Sequence, residues 1–446
     1  MMTLKQLPKT PKKDFLKSMK KVAQNMLGFN EELTEVYGDT YEIDLGYLPL
    51  YVTSNPDLIK QVLQSNHKNY LKSQAYDKMK LGLGNGLVTS SGDYWRKQRR
   101  LSQPVFYKKN LENLFQEMGR STVEFLENLE KQRGNEIDIS KEMMKVTATI
   151  VLRSLFNVEE SQELDKIYES MDMMQNYIIK HVQNPIFSPF YYMSRSHREF
   201  KKAMKNMDDL VYGMMRERRE SGKKKADLLQ MLMDVEDADT GEKMTDLQLR
   251  DELVTLFSAG HETSANALAW TIYMLAQHPK IVERLRAEVN QVVPNGVMPN
   301  FEQLRQLTYT TQVINEGMRL FPPAWVVGRR AIEDDEFDGY LIKKEVNILC
   351  EIYILHRSEK LWENPNEFNP DRFSPEKVKA RPRHHFLPFG SGPRMCIGNH
   401  FAMMEMQLLL ATIVQRFDFS VVESHKVELD PLITLRPKNG IKLLIS

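Results

Sequence analysis

The 446-residue chain, 41% hydrophobic, can bury a large core, and its length alone favours two or three domains. Its 61 Lys and Arg nearly cancel 60 Asp and Glu, which excludes the global positive field of a nucleic-acid binder. With only Cys350 and Cys396, a disulfide framework is excluded and a reducing, cytoplasmic setting is expected.

No stretch approaches eighteen consecutive apolar residues, so no membrane anchor is expected, and lysines interrupt the start too often for a signal peptide. The basic start (Lys9 to Lys21) and the acidic run Glu333 to Glu336 read as solvated faces, and the stripe Phe15, Met19, Val22, Met26 reads as a helix face packed on a core. Alternation through Tyr41, Ile43, Leu45, then Leu48, Leu50, Val52 predicts a hairpin turning near Gly46. From Pro56 helical spacing dominates, as in Leu111, Leu114, Met118. Gly82-Leu83-Gly84-Asn85-Gly86 looks like a phosphate loop but has no strand-to-helix context.

The clearest element runs from Thr245 to His278. Thr245 and Gln248 have capping-box spacing, Pro279 marks the stop, and the span would be about 50 Å long. At its middle, Ser258-Ala259-Gly260-His261-Glu262-Thr263-Ser264-Ala265 interrupts a leucine-rich pattern. Gly260 costs about 1 kcal/mol against alanine in a helix, so a close approach is expected there. A zinc-protease reading of His261-Glu262 fails because position 265 is alanine. For Thr263 alone, a back-bond to the Ala259 carbonyl is the favoured reading. Strand signals return at Ala331 to Ile348 and at Phe417 to Ile445. No linker, low-complexity segment or fixed-period repeat interrupts the chain, so one mainly α unit, 1–446, with a small β region is expected despite its length.

Phe386 to Gly398 sets Cys396 among glycines, Phe389 and Arg394, just before a helical run from Asn399 to Phe417. Nearby positive charge and helix-start N–H groups stabilise a thiolate, the form that ligates iron. Cys350, in the apolar run Val346 to Leu355, reads as an inert core thiol.

Phe389, Gly392, Arg394, Cys396 and Gly398 resemble the haem-binding signature of the cytochrome P450 family at every fixed position. Asn369-Pro370-Asp371-Arg372-Phe373 resembles its meander, Glu316-Gly317-Met318-Arg319 its E-x-x-R pair, and Ala259 to Thr263 its oxygen-activation motif, all in the family's order. The resemblance implies a mainly α triangular prism around a buried haem b, without a fused reductase. It implies Cys396 as axial iron ligand, Thr263 and Glu262 as the catalytic alcohol and proton relay, and a structural network of Glu316, Arg319 and Arg372. Trp95, Arg99, Arg329 and Arg394 would hold the haem propionates, with Ala259, Phe389 and Gly398 against the cofactor.

The implied activity is monooxygenation, O2 supplying one oxygen atom to a C–H bond. A separate ferredoxin or flavodoxin with an NAD(P)H-dependent reductase would provide electrons, and a monomer is expected. Val88, Phe257, Trp325, Val326 and Ile433 are the candidate pocket residues, and a lipophilic substrate such as a fatty acid or terpenoid is the first hypothesis. Asn176, Tyr177, His181 and Gln183 keep open a small polar substrate such as a methylated sugar, which would be O-demethylated. A peroxide-driven peroxygenase and a non-catalytic haem sensor are the alternative classes, both disfavoured by the Glu262 and Thr263 pair.

Overall fold

The computed structural model describes residues 4–45, 49–157, 161–183, 188–222, 224–294 and 297–446. Its principal helices are α1 (Phe15–Tyr37), α2 (Ala75–Leu83), α3 (Gly92–Ser102), α4 (Lys108–Glu130), α5 (Ile139–Phe156), α6 (Ser161–Gln183), α7 (Arg195–Ser221), α8 (Leu228–Asp234), α9 (Asp246–Ala276), α10 (Pro279–Val292), α11 (Thr308–Leu320) and α12 (Asn399–Arg416).

The strands are β1 (Thr40–Asp44), β2 (Pro49–Thr53), β3 (Tyr70–Lys72), β4 (Glu136–Asp138), β5 (Val326–Ala331), β6 (Asp335–Phe337), β7 (Tyr340–Ile342), β8 (Asn347–Glu351), β9 (Phe419–Val421), β10 (Leu429–Pro431), β11 (Leu435–Pro437) and β12 (Lys442–Ile445). The hairpin expected near the start is β1–β2, in register from Thr40 opposite Thr53 to Asp44 opposite Pro49; Gly46 and Leu48 lie outside the described residues. A five-stranded sheet has the order β1-β2-β8-β5-β3, and β4-β12-β9 form a smaller one.

Helix α9 begins where its capping box places it. Gln248 N donates to Thr245 Oγ1 (3.3 Å) and Thr245 N to Gln248 Oε1 (2.8 Å), satisfying two otherwise orphaned amides. Leu253, Val254, Leu268 and Trp270 on α9 are buried with Ile150 and Val151 of α5 and with Leu409 and Ile413 of α12 in one large apolar core. Gly260 answers the expectation of a close approach, since a Cβ there would sit 3.3 Å from Val151 Cγ2.

Val22 packs beside the core of Phe29, Tyr41 and Val52, and Met26 beside that of Leu27 and Trp325, as a core-facing α1 requires. Cys350 is fully buried on β8, and burial pushes its thiol up to about 12, as an inert core thiol requires. Among the described residues, no helix is long and apolar enough to cross a membrane.

Candidate active site

The cysteine loop is folded by its glycines. Gly390 (φ +72°) and Gly392 (φ +69°) adopt left-handed conformations that side chains disfavour. A Cβ on Gly392 would lie 2.1 Å from the Leu63 carbonyl oxygen, so this close approach is to protein backbone. The turn closes when Cys396 N donates to Phe389 O at 2.9 Å. Cys396 borders a cavity and can be reached from it, although protein otherwise surrounds the sulfur. Burial raises its pKa, while the Gly398 N–H and the Arg99 guanidinium act in the opposite direction.

Behind the loop stands a fully buried charge network. Arg319 Nε and Nη2 grip Glu316 at 2.7 and 2.8 Å, and Arg372 Nε reaches Glu316 Oε1 at 3.3 Å. Glu316 and Arg319 have no solvent exposure, so the pair is not one of the weakly stabilising salt bridges found on surfaces. Further donors have backbone acceptors: Arg319 Nη1 bonds His356 O (2.8 Å) and Pro365 O (2.7 Å), and Arg372 Nη2 bonds Asn364 O (2.8 Å). His356 completes the linkage, because its Nε2 accepts from Leu387 N at 2.9 Å at the start of the cysteine loop. Burial and the neighbouring Arg319 and Arg357 hold His356 well below the ordinary histidine pKa, so it is neutral and able to accept. No motif singled out His356, since its role depends on a partner 31 residues away.

The cavity extends from Cys396 to α9. Leu256, Ala259, Gly260, Thr263 and Ala267 line it from one helix face, with Val88, Phe389, Gly398, Val327, Arg329 and Arg394 also on its wall. Thr263 Oγ1 donates to Ala259 O at 2.7 Å, the back-bond expected of such a threonine, while the residue still borders the cavity. Glu262 lies on the other face. It accepts from Gln175 Nε2 (2.9 Å), Thr434 Oγ1 and Arg436 Nε, joining α9 to α6 and the β10–β11 hairpin. Burial raises its pKa, but the Arg436 ion pair outweighs that and holds the carboxyl below its ordinary value, hence ionised.

Of the five pocket candidates, only Val88 lines the cavity. Phe257 is one helical step from Leu256, about 100° round the axis, and stacks on His261 at 4.6 Å instead. Val326 alternates with Val327 and Arg329 on β5, so the pleat turns it away. Trp325 is buried among Leu27, Tyr353 and Leu435, its indole N–H donating to Leu432 O at 2.9 Å. Ile433 sits on the β10–β11 turn, which contributes no residue to the cavity wall. None of the polar candidates lines it: Asn176 is exposed and bonded to Asp172, Tyr177 and His181 are buried, and Gln183 has no described side chain.

The propionate candidates divide into two pairs. Arg329 and Arg394 line the cavity. Trp95 and Arg99 brace the cysteine loop from α3: Arg394 stacks over the Trp95 ring at 4.2 Å, and Arg99 Nη1 donates to Met395 O at 2.8 Å. A further cation was missed. Lys72 on β3 stands directly opposite Arg329 on β5 and lies over Tyr76 at 4.2 Å. Burial, then Arg329 and Arg394, lower its pKa well below the ordinary lysine value.

Among the described residues Lys72, Arg329 and Arg394 are the charged groups on the cavity wall, with no carboxylate to balance them. Like charges opposed across strands are unfavourable unless an anion joins them. Haem fits this donor set, since its two propionates supply the negative charge and Cys396 the iron ligand.

Comparison with known proteins covers nearly the whole chain. The sequence model described as Cytochrome P450 matches residues 8–445. A cytokinin hydroxylase of Arabidopsis thaliana is 32% identical over 92% of this chain and 82% of its own. Cyclooctat-9-en-7-ol 5-monooxygenase of Streptomyces melanosporofaciens is 32% identical over 85% and 82% respectively. The crystal structure of the cytochrome P450DA heme domain superposes with a TM-score of 0.91 at 25% identity, covering 99% of this chain and 98% of that one.

Proposed function

We propose, from the premise that this chain belongs to the cytochrome P450 family and is a haem-dependent monooxygenase, that it hydroxylates a small lipophilic molecule. The carrying observation is the division of the cavity wall. Its charges cluster at Lys72, Arg329 and Arg394, whereas Val88, Val151, Leu155, Leu228, Leu256 and Ala324 are apolar. A substrate has hydrophobic surface to bury there and few side-chain partners for a polyol, which favours a fatty acid or terpenoid over a methylated sugar.

Haem, held by Cys396, would supply the oxygen-activating chemistry. Lys72, Arg329 and Arg394 would hold the propionates, with Ala259, Phe389 and Gly398 against the ring. Thr263 would present its hydroxyl on the cavity side, and Glu262 would pass protons from behind it. A polar cleft lined by Asp138, Tyr168, Asn266 and Arg436 reaches solvent on that far side, a physical reason to assign Glu262 the relay. Electrons would come from a separate ferredoxin or flavodoxin with its NAD(P)H-dependent reductase, the protein working as a cytoplasmic monomer.

The test is the absorption spectrum of the reduced protein under carbon monoxide, with Cys396→Ser alongside. A strongly red-shifted Soret band lost in the variant is expected; a histidine-type spectrum would refute thiolate ligation. Titration of the ferric protein with fatty acids, terpenes and methoxylated sugars then tests the substrate class. A spectral shift with the sugars alone would reverse the lipophilic assignment.

A further inference from the structure

Resting on the reading of the cavity as a substrate chamber, we propose that Arg250, Asp251 and Glu252 form a latch. It fixes the loop 84–89 against α9 and ties it to α7, making the three positioning residues for substrate admission. Their burial is the first observation: three consecutive charged residues on a helix are 5%, 5% and 1% exposed. Successive side chains diverge by about 100°, so a single polar helix face cannot explain them.

Their partners explain them. Asp251 Oδ2 accepts from Asn85 N at 2.7 Å, and Glu252 Oε2 accepts from Leu87 N at 3.1 Å. The two carboxyl groups therefore take alternate amides of one segment. Arg250 Nη1 bonds Gly82 O (3.3 Å) and Asp251 Oδ1 (3.0 Å), while its Nε bonds Asp208 Oδ1 of α7 at 2.7 Å.

The loop is shaped to receive these groups. Gly84 (φ +65°) would place a Cβ 2.0 Å from Asp251 Oδ1, and one on Gly86 would lie 2.2 Å from Thr255 Oγ1. The glycines that mimic a phosphate loop in sequence thus admit the side chains of α9. Thr89 Oγ1 closes the loop on Gly84 O at 2.7 Å, and Val88, between the clamped amides and this closure, borders the cavity.

Burying three ionisable side chains to hold one backbone segment is expensive where apolar residues could fill the space, so the return is a defined loop position. Because Arg250 also grips Asp208, α9 holds the loop and α7 through the same three residues. Release would part the cavity wall at Val88 while leaving the Cys396 side intact.

Hydrogen exchange on the haem-loaded Asp251→Ala and Glu252→Leu proteins tests the latch, together with association rates of imidazole and the bulkier 4-phenylimidazole. Exchange at Asn85 and Leu87 should accelerate about tenfold, the scale of losing one buried hydrogen bond. The 4-phenylimidazole rate should rise by about the same factor as the open population grows, while the imidazole rate and exchange between α9 and α12 stay unchanged. Unchanged loop exchange, or equal acceleration for both azoles, would overturn the proposal.

Should these variants fail to fold, Gly86→Ala retains all three side chains and dislodges the loop sterically. It must give the same pattern, and its failure to do so would also overturn the latch. Loop exchange is read without a ligand, whereas an error in the functional reading would appear as a missing thiolate spectrum, so the two failures are distinguishable.

Discussion

The two sides of the cavity are built on different principles. On the Cys396 side, Glu316, Arg319, Arg372 and His356 are buried and bonded to backbone carbonyls or amides, and the loop turns on two glycines with positive φ. On the substrate side, the loop 84–89 is held by carboxyl groups from α9, and α6 meets the C-terminal hairpin through Glu262. On the first side the charged pair and the turns come from segments a few residues long, with His356 as a distant addition; the other is a set of sequence-distant elements joined at a few polar contacts. Local rules can therefore identify the first, while the second depends on how whole elements are rotated against one another.

Breaking the rigid side should have the largest effect. Glu316→Ala leaves Arg319 and Arg372 buried without their carboxylate, which should cost about 3–5 kcal/mol. Guanidinium unfolding and the yield of haem-loaded protein measure it; a stability change within about 0.5 kcal/mol, the range of an ordinary surface substitution, would show that the network does not carry the scaffold.

The cation wall sharpens the comparison with opposite signs in two states. Lys72→Met should speed haem transfer to an acceptor globin by about tenfold, the scale of one charge-assisted hydrogen bond. The haem-free protein should melt at a higher temperature, because the burial of the ammonium group and its repulsion from Arg329 and Arg394 are both relieved. Unchanged haem transfer would place Lys72 outside the propionate set.

On the substrate side, Val88→Phe should remove binding of the bulkiest ligands that shift the ferric spectrum, whereas Val326→Ala and Ile433→Ala should leave ligand affinity unchanged. Equal effects from all three would mean that the cavity wall has been drawn wrongly.

A last effect shows only as a dependence on pH and concerns Glu405 on α12, fully buried beside Ser264 and pushed up to about 8 by that burial. The folded protein keeps this proton to about pH 8 while the unfolded chain releases it near 4.5, so stability falls as pH rises between those values. Glu405→Gln should flatten that part of a melting-temperature profile and melt no lower than the parent at pH 8. A parallel, uniformly lowered profile would mean that the carboxyl is not held neutral.

By itself, the sequence determined whatever depends on spacing within a few residues. Thr245 and Gln248 cap α9, Gly392 permits a turn beneath Cys396, and Glu316 and Arg319 share a helix face three apart. Such features are set by backbone dihedrals and hydrogen bonds formed almost locally, and motif order then identified the family. Only the tertiary structure decided that Leu256 rather than Phe257 faces the cavity, that Lys72 meets Arg329 in register, and that Asp251 and Glu252 hold Asn85 and Leu87. The rotation of α9, the pairing of β3 with β5 and the seating of the loop arise from packing across the whole core, and residues more than 150 positions apart meet only when that packing is complete.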